Sequence, residues 1–461
     1  MFGDFGLKIE KNSKNVFFCG IGGVSMSGLA VMMKSFGYTV SGSDTSPREN
    51  IIRLFRENKI PLFFSHSAEN VEGCDLVVYS SAIGKNNCEL CQAQRLGIPI
   101  LKRSKLLGAI SNSFANSVAI AGTHGKSTVT GMLYEALLEC GHSPYLLCGA
   151  RLQKNGLSYA LGNEDIIIYE ACEYDRSFLD FTPKTAIILN IEREHTDTYP
   201  TLSDAEEAYF EFASKSETVI LNYDNASCQM LGKRLLAMGK KVRFFSLYGE
   251  RGSFFAKNIQ ESKGYFSFNV GNGAKKISLA IPGAHNVSNA LAVVLTCNIL
   301  GVKDFEKIAR GISNFKGVKR RFEYIGALNG ADIYDDYAHH PTEIKATLSF
   351  VKKLGYDKII CAFQGHTYSR TRAFFDDFIT AFEGCDEVII APIYAAREKN
   401  DGVCYEKLLA NKIPNGKYIE SNQDIIKYLA KKCEPKALIL TMGAGELDEV
   451  ATELSKMEGF N

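Results

Sequence analysis

The sequence predicts an α/β protein of three consecutive segments, and two observations carry that prediction. Short apolar runs typical of strands alternate with stretches of helical spacing along most of the 461 residues. In addition, a glycine turn followed by Lys-Ser lies between a strand and a helix at Val118 to Gly131. Because 461 residues exceed one hydrophobic core, two or three domains are expected.

The first segment is expected to span residues 1–107 and to hold a parallel sheet. Its strands are predicted at 16–19, 38–44, 75–83 and 98–103, and its helices after Gly23, at 50–58 and at 89–97. The polar stretch 109–117 is predicted to be a linker. Residues 108–316 form the second segment, which ends in a long helix at 286–301, and residues 317–461 alternate strand and helix again.

Composition excludes several classes of protein. A net charge of +1 gives no support for nucleic-acid binding through a basic surplus. No apolar run reaches the roughly 18 residues that a membrane span needs, and the N-terminus lacks the apolar core of a signal peptide, so we expect a cytoplasmic protein. The 13 cysteines include one C-x-x-C pair, Cys88 and Cys91, without a second pair, so buried reduced thiols are favoured over zinc there.

The glycine turn has the build of a phosphate-binding loop. Glycines let backbone N–H groups approach phosphate oxygens, and the N-terminus of the following helix adds partial positive charge. A lysine at this point reaches the β/γ-phosphates, and the next hydroxyl can hold Mg²⁺. The loop is short, since Ile120 stands where the full pattern has its first glycine. Its candidate residues are Gly122, Thr123, His124, Gly125, Lys126, Ser127 and Thr128.

A second glycine-rich loop follows the first predicted strand. Gly22 and Gly23 begin like a dinucleotide fingerprint, but Ser25 replaces the third glycine. Asp44 ends the next strand, where such folds hold a ribose hydroxyl. An ordinary tight turn, NAD and another nucleotide diphosphate all remain open for this loop.

Polar residues at later strand and helix ends complete the candidate sites. Glu170 and His195 follow two strands that share an edge with the phosphate loop, so with Ser127 they could hold Mg²⁺, although each alone is more often a surface hydrogen-bonding residue. Asn286 and Asn289 lie one turn apart and could face adenine or cap the helix. The third segment contributes Arg321, Asp336, Tyr337, His339, His340, His366, Arg370 and Arg372.

Together these motifs resemble the Mur ligases of peptidoglycan synthesis, most closely their alanine-adding branch. The matching stretches are GIGGVSMSGLA, GTHGKST, EACEYDRSFL, HTDTY, GAHNVSNALA, GVKRRFE, DDYAHHPTE, FQGHTYSRT and IYAAREK, which occur in the order of the family and span nearly the whole chain. The resemblance implies three domains: a Rossmann-like UDP-sugar domain, a P-loop-type central ATPase with a mixed sheet, and a Rossmann-like C-terminal domain.

The resemblance also implies a reaction. ATP, UDP-N-acetylmuramate and L-alanine would give ADP, phosphate and the joined product through an acyl phosphate, in the cytoplasm, with Mg²⁺ as cofactor. We expect a monomer or a weak homodimer, without nucleic-acid or membrane partners. The amine must lose a proton, and we leave its base unassigned between His195 and His339.

Residue roles follow from the motif matches. Gly22, Gly23, Ser25, Asp44 and Ser81 would hold the UDP-linked substrate. Lys126 would hold the β/γ-phosphates within the loop 122–128, and Ser127, Glu170 and His195 would hold Mg²⁺. His124 would help to position the lactyl carboxylate. Asn286, Asn289, Arg321 and Asp336 would contact ATP, and Tyr337, His339 and Arg370 would lie near the incoming alanine.

Three alternatives stay open. A ligase that joins UDP-N-acetylmuramate to a recycled tripeptide would share the ATP and sugar sites. A non-catalytic nucleotide-binding protein is disfavoured, because Lys126, Glu170 and His195 are all retained. A dehydrogenase is disfavoured because only the first glycine loop supports it. The chain also departs from its relatives, since Ser127 stands where many have Thr and Thr367 stands where some have Arg.

Overall fold

The computed structural model describes residues 15–195, 198–249, 254–271, 273, 276–396, 398–400 and 402–458. The N-terminal stretch before Asn15, together with Thr196, Asp197 and Arg397 of two quoted motifs, lies outside these ranges. The described chain divides into two compact units: the first holds residues up to Gln260 and Phe266–Lys316, and the second holds Glu261–Tyr265 and the residues from Gly317 onward. Among the described helices, none combines the length and apolar character that crossing a membrane requires.

The first unit begins with alternating strands and helices. They are β1 (Asn15–Cys19), α1 (Val24–Ser35), β2 (Thr39–Ser43), α2 (Glu49–Glu57), β3 (Leu62–Phe63), β4 (Leu76–Tyr79), α3 (Cys88–Arg95), β5 (Ile100–Lys102) and α4 (Arg103–Asn112). The strands form a parallel sheet in the order β3-β2-β1-β4-β5. This is the predicted Rossmann-like arrangement. The order of the strands reverses between β1 and β4, and sheets of this kind bind ligands at the carboxyl ends of the strands beside such a reversal. The loop after β1 lies at that place.

The predicted linker at 109–117 is wrong, because α4 extends to Asn112 and the next strand begins at Asn116. Leu106, Leu107 and Ile110 recur at helical spacing and are fully buried in the hydrophobic core. The burial of this apolar stripe outweighs the polar composition of the stretch. The predicted boundary at residue 107 stays a prediction and falls inside this helix.

The central part of the chain carries a mixed sheet, as expected. Its elements are β6 (Asn116–Ala121), α5 (Lys126–Glu139), β7 (Tyr145–Leu147), β8 (Tyr159–Ala160), β9 (Ile166–Glu170), β10 (Thr185–Ile188), α6 (Leu202–Ser214), β11 (Thr218–Asn222), α7 (Ala226–Ala237), β12 (Lys241–Ser246), β13 (Phe254–Ser262), β14 (Tyr265–Val270), β15 (Lys276–Ser278), α8 (His285–Ile299) and α9 (Phe305–Asn314). The strand order is β15-β14-β13-β12-β11-β10-β6-β9-β7-β8. Parallel pairs flank β6, whereas β7 with β8 and β14 with β15 are antiparallel.

The second unit holds a third sheet. Its elements are β16 (Glu323–Leu328), β17 (Ala331–Asp336), α10 (Pro341–Val351), β18 (Lys358–Phe363), α11 (Tyr368–Ala373), α12 (Phe375–Ile379), β19 (Glu387–Ile390), α13 (Tyr405–Lys412), β20 (Gly416–Tyr418), α14 (Asn422–Ala430), β21 (Ala437–Met442) and α15 (Leu447–Lys456). The order is β16-β17-β21-β18-β19-β20, with an antiparallel β16–β17 pair at one edge and parallel pairs elsewhere. The predicted α/β fold is confirmed in all three sheets.

Candidate active site

The glycine turn forms the expected strand–loop–helix unit between β6 and α5. Gly122 and Gly125 have φ angles of 137° and 88°, a region that glycine adopts without strain. A Cβ at Gly122 would lie 3.2 Å from the backbone N of Asn190, and one at Gly125 would lie 3.0 Å from Oδ1 of Asn289. Gly125 caps α5 without a side-chain hydrogen bond, which leaves the first N–H groups of the helix for a ligand.

Asn190 fixes the shape of this loop from the neighbouring strand. Its Oδ1 accepts a hydrogen bond from the backbone N of His124 at 2.8 Å, and its Nδ2 donates to the carbonyl of His124 at 3.1 Å. The hydroxyl of Thr123 accepts from the backbone N of Glu192 at 2.9 Å. Asn190 was not among the residues predicted from the sequence. Its position just past a buried strand, at the same sheet edge as the loop, is the signal that could have identified it.

Lys126 is held by Glu173, a second residue that was not predicted from the sequence. The ammonium group lies 3.1 Å from Oε1 and 3.0 Å from Oε2 of Glu173 and also donates to the carbonyl of Thr123. Burial alone would raise the pKa of Glu173, but Lys126 and His195 lower that pKa to about 2. Burial likewise opposes the charge of Lys126, yet Glu173 raises the pKa of Lys126. Both groups are therefore charged at neutral pH.

His195 lies beside the same carboxylate. Its Nε2 is 3.4 Å from Oε1 of Glu173, and its φ of 51° is unusual for a residue other than glycine. One ligand atom each from Glu173, Glu194 and His195 lies within 4.8 Å of the others, so the three could hold a metal ion. This grouping was not predicted from the sequence, which paired His195 with Glu170.

Ser127 and Glu170 meet at a different point, on either side of Cys148. The Sγ of Cys148 is 3.2 Å from Oε1 of Glu170 and 3.7 Å from the carbonyl of Ser127. The backbone N of Gly149 also donates to Oε1 of Glu170, at 2.5 Å. Burial raises the pKa of the Cys148 thiol well above its usual range, so this thiol remains protonated and can act as a donor. The carboxylate of Glu170 is thus oriented by two donors from the loop after β7.

The start of α8 reaches the phosphate loop. Asn289 donates through Nδ2 to Oδ1 of Asn286 at 2.9 Å, and Asn286 donates to the carbonyl of Pro282 at 2.6 Å. Both carboxamides are buried, and Asn289 abuts Gly125. The helix is capped at Ala284 without a side-chain hydrogen bond, so neither asparagine serves as its cap.

The first glycine loop is tied to Asp44 as its spacing suggested. Gly22 donates its backbone N–H to Oδ2 of Asp44 at 3.0 Å, and a Cβ at Gly22 would lie only 2.7 Å from that oxygen. The hydroxyl of Ser25 accepts from Nη1 of Arg103 at 3.0 Å. Burial lowers the pKa of Arg103, and the charges of nearby Glu170 and Asp180 offset only part of this decrease. Gly23 and Ser81 are exposed, in the loop after β1 and in the turn after β4.

In the second unit, Asp336 ends β17 and Arg321 lies just before β16, the strand paired with β17. The carboxylate of Asp336 accepts from the backbone N of Phe322 at 2.9 Å and of Ala338 at 2.7 Å, and its burial raises its pKa. Arg321 lies 3.4 Å from Glu343, with its guanidinium 5.6 Å from the ring centre of Tyr337. The neighbouring Arg320 instead binds Asp335 at 3.0 Å and two carbonyls after β21, so its role is to join those loops.

Two neutral histidines and Arg370 form a cluster near Tyr337. Nδ1 of His339 lies 2.9 Å from the carbonyl of Tyr337, and the rings of His339 and His366 are 6.0 Å apart. Arg370 donates from Nη1 to Nδ1 of His366 at 3.2 Å. Burial lowers the pKa of His339 to about 3, and burial together with Arg370 lowers the pKa of His366 to about 4. His340 caps α10 through a hydrogen bond from Thr342.

Three family models match this chain. The Mur ligase family catalytic domain matches residues 15–115, the Mur ligase middle domain matches 120–297, and the Mur ligase glutamate ligase domain matches 320–445. The chain belongs to the Mur ligase family. The predicted membership and the predicted three-domain α/β fold are therefore confirmed.

Individual relatives cover this Mur ligase almost completely. It is 40% identical to a UDP-N-acetylmuramate–L-alanine ligase of Agathobacter rectalis over 96% of the chain and 98% of the relative. It is 39% identical to the Clostridium beijerinckii protein of the same name over 95% of the chain and 97% of the relative. A solved UDP-N-acetylmuramate-alanine ligase from Thermotoga maritima superposes with a TM-score of 0.81 at 26% identity, covering 95% of this chain and 98% of that structure. A murein peptide ligase from Psychrobacter arcticus shares the fold, with a TM-score of 0.74 at 22% identity over 97% of this chain and 100% of that structure.

Proposed function

We propose that this Mur ligase joins L-alanine to UDP-N-acetylmuramate with the conversion of ATP to ADP and phosphate. The observation that carries the proposal is the near-complete alignment, at 40% identity, with a relative that bears this activity in its name. The murein peptide ligase is only 22% identical, and that likeness supports the fold alone. The recycling reaction is therefore the second candidate function. A cytoplasmic location and a monomer or weak homodimer belong to the same proposal.

The loop at Gly122–Lys126 suits the phosphates of ATP. The uncapped start of α5 and the two glycines offer backbone N–H groups, and Lys126 offers a buried positive charge. ATP supplies the phosphoryl group that turns an unreactive carboxylate into an acyl phosphate. Lys126 would neutralise charge on the transferred group, Thr123 and Thr128 would line the loop, and His124 would orient the lactyl carboxylate. We assign Asn286 and Asn289 to the adenine, and Arg321 and Asp336 to further ATP contacts.

The donor set beside the loop suits magnesium. Mg²⁺ prefers oxygen ligands and commonly binds one or two carboxylates together with phosphate oxygens. The hydroxyl of Ser127 and the carboxylate of Glu170 supply such oxygens, and His195 is the unusual third member. Because His195 lies beside Glu173 and Glu194, we propose these two carboxylates as candidates for a second cation at His195.

The first glycine loop would hold the UDP-linked substrate. The exposed backbone of Gly23, the turn at Ser81 and the hydroxyl of Ser25 lie at the carboxyl edge of a parallel sheet. Asp44 uses one carboxylate oxygen to hold Gly22, which shapes the loop, and its other oxygen accepts from the backbone N of Ser46 at 3.0 Å. We therefore assign Gly22 and Asp44 to shaping the loop as well as to binding.

The cluster of Tyr337, His339 and Arg370 would receive L-alanine. Arg370 is suited to the carboxylate of the amino acid, and the two rings would bound its small side chain. His339 is a poor base, because its pKa is about 3. The proton of the amine would then pass to another group, and His195 is the second candidate.

Phosphate release is the direct test. Purified protein with ATP and Mg²⁺ would be given UDP-N-acetylmuramate and, in separate reactions, L-alanine, glycine, L-serine, a bulky amino acid or the recycled tripeptide. We expect phosphate release with L-alanine and a product heavier than the sugar nucleotide by one alanine residue. Release with the tripeptide alone would establish the recycling reaction instead, and NAD-dependent absorbance changes without phosphate release would establish a dehydrogenase.

A further inference from the structure

A cluster of metal-binding side chains lies in the first sheet, away from the phosphate loop. Cys19 ends β1, His66 follows β3, and Glu89 stands in the first turn of α3. Oε2 of Glu89 lies 2.8 Å from Nδ1 of His66 and 2.9 Å from Sγ of Cys19, and that sulfur lies 3.8 Å from the same nitrogen. A strand, a loop and a helix thus direct one ligand atom each to a common point.

The surroundings of this cluster are those of a built site. Cys19 and Glu89 are fully buried, whereas the side chain of His66 is 22% exposed and gives access from solvent. The hydroxyl of Ser43 lies 2.7 Å from Oε2 of Glu89 and 3.0 Å from Nδ1 of His66. Asn70 fixes the second oxygen of Glu89 through a hydrogen bond of 2.8 Å. A hydrogen bond to the other oxygen therefore orients the carboxylate, as partners outside the ligand shell commonly do at metal sites.

We propose that Cys19, His66 and Glu89 bind a zinc ion, with the Ser43 hydroxyl or a water molecule in the fourth position. A thiolate, an imidazole and a carboxylate form a donor set that zinc accepts and that magnesium and calcium do not favour. This inference is independent of the proposed ligase reaction.

The distances fit a tetrahedral ion after a small adjustment. Zinc–ligand bonds of 2.0–2.3 Å place tetrahedral ligand atoms about 3.4–3.6 Å apart. The Cys19–His66 separation of 3.8 Å is close to that spacing, and Glu89 would have to withdraw by about 0.6 Å from its 2.8 and 2.9 Å contacts. On binding, the Cys19 thiol loses its proton to solvent, and the sulfur, the Nδ1 lone pair and one carboxylate oxygen form bonds to the ion.

A hydrogen-bond network without metal is the competing explanation. Burial raises the pKa of the Cys19 thiol, so without a cation the thiol keeps its proton and donates it to Glu89. Serine at position 19 would preserve this hydrogen bond but would remove the thiolate ligand. The variant Cys19→Ser therefore separates the two explanations, because it leaves the network nearly intact and disables the zinc site.

Metal binding to the full-length protein provides the test. Protein freed of metal by a chelator would be titrated with Co²⁺ and then with Zn²⁺ in competition with a chromophoric chelator. We expect one tight site, with thiolate-to-cobalt charge-transfer absorption in the wild type. Since losing an outer partner of a metal ligand already costs 10–100-fold in affinity, Cys19→Ser should weaken zinc binding by at least about 100-fold. The double variant Cys88→Ser/Cys91→Ser is the matched control and should bind as the wild type does.

Two outcomes would overturn the proposal. One is that the wild-type protein shows no charge-transfer band with Co²⁺ or does not bind zinc stoichiometrically. The other is a band that survives in Cys19→Ser but disappears in the control, because the ion would then sit on the Cys88–Cys91 pair. Circular dichroism checks that each variant is folded. If Cys19→Ser does not fold, His66→Gln takes its place, since its side chain is partly exposed, and it must show the same loss.

Discussion

Glu173 holds Lys126 in place at the phosphate loop, with both of its carboxylate oxygens within 3.1 Å of the ammonium group. The two side chains are 5% and 15% exposed, so each charge depends on the other for compensation. This pairing has two consequences. Lys126 is available as a fixed cation at the loop, and removing either partner leaves a buried charge without its counterion.

We expect Lys126→Ala to abolish turnover, because the transferred phosphate would lose its fixed positive charge. A single electrostatic donor of this kind is typically worth about 100- to 1,000-fold in kcat. Phosphate release by the purified variant measures the loss, and circular dichroism shows whether the variant is folded. The matched control is Lys154→Ala, which removes a lysine paired with Glu135 on the other side of α5. Near-normal turnover of folded Lys126→Ala would remove Lys126 from the mechanism.

Glu173→Gln should alter the response of stability to acid. The folded pKa of Glu173 is about 2, below its ordinary value of 4.5. The stability that this carboxylate contributes is therefore present above about pH 4.5 and is lost as pH falls toward 2. Unfolding by urea at several pH values should show a shallower loss for Glu173→Gln across that window, from a lower stability at pH 7. Glu72→Gln, which changes an exposed glutamate, is the control. Equal slopes in all three proteins would contradict the pairing.

Sequence patterns predicted the fold well where apolar periodicity was strong. The strand–turn–helix unit at Lys126, the helix that carries Asn286 and Asn289 and the strand end at Glu170 all lie where the patterns placed them. Asp336, by contrast, was expected in a turn and is the last residue of β17. Such local units depend on spacing and glycine positions, both of which are visible in one sequence. The linker prediction failed because the burial of Ile110 and Phe114 in the core depends on distant partners.

The partners of the candidate residues could not be predicted in the same way. Glu173 lies 47 positions from Lys126, and Asn190 lies 66 positions from His124, so only the folded sheet brings them together. The same holds for Cys148, which orients Glu170 from the loop after the neighbouring strand β7. Pairings between elements are set by sheet order, which local periodicity does not determine.

Glu170→Gln should raise the Mg²⁺ concentration needed for half-maximal activity. The change removes one negative charge from the proposed Ser127–Glu170 oxygen set but keeps a group that fills the same space beside Cys148. His195→Ala should act in the same direction. Magnesium titrations of the phosphate-release reaction would measure both, with Glu217→Gln as a control far from the loop in an exposed pair with Lys184. If both titration curves match the wild type, the cation binds elsewhere.

His339 and His366 should remain neutral in mildly acidic solution. Burial lowers their pKa values to about 3 and about 4, below the ordinary 6.5. Folded pKa values below the unfolded value mean that the stability from these groups is complete above about pH 6.5 and falls as pH drops toward 4 and then 3. Nuclear magnetic resonance titration should show that the imidazole signals of His339 and His366 do not titrate near pH 6. His339→Gln and His366→Gln identify the two signals, and normal titration of either ring would contradict its burial.

The remaining prediction concerns Arg370 and the amino acid. Nη1 of Arg370 is oriented by a hydrogen bond to Nδ1 of His366, which can accept it because that ring is neutral. Thr367, at the start of the same helix, supplies no charge where some relatives have Arg, so Arg370 is the main candidate to bind the alanine carboxylate. A hydrogen bond to a charged group is worth about 1.5–3 kcal/mol, so Arg370→Ala should raise the KM for alanine by about 10- to 100-fold.

Comparison across the three substrates makes this test specific. The KM values for ATP and UDP-N-acetylmuramate should change little, because Arg370 is assigned to the amino acid alone. Lys427→Ala, which removes an exposed cation of α14 in the same unit, is the control and should leave all three values near those of the wild type. In the wild type, glycine and serine should be weak substrates, since one methyl group provides only about 1–3 kcal/mol of discrimination. An unchanged KM for alanine, or an equal increase for all three substrates, would show that Arg370 does not hold the amino acid.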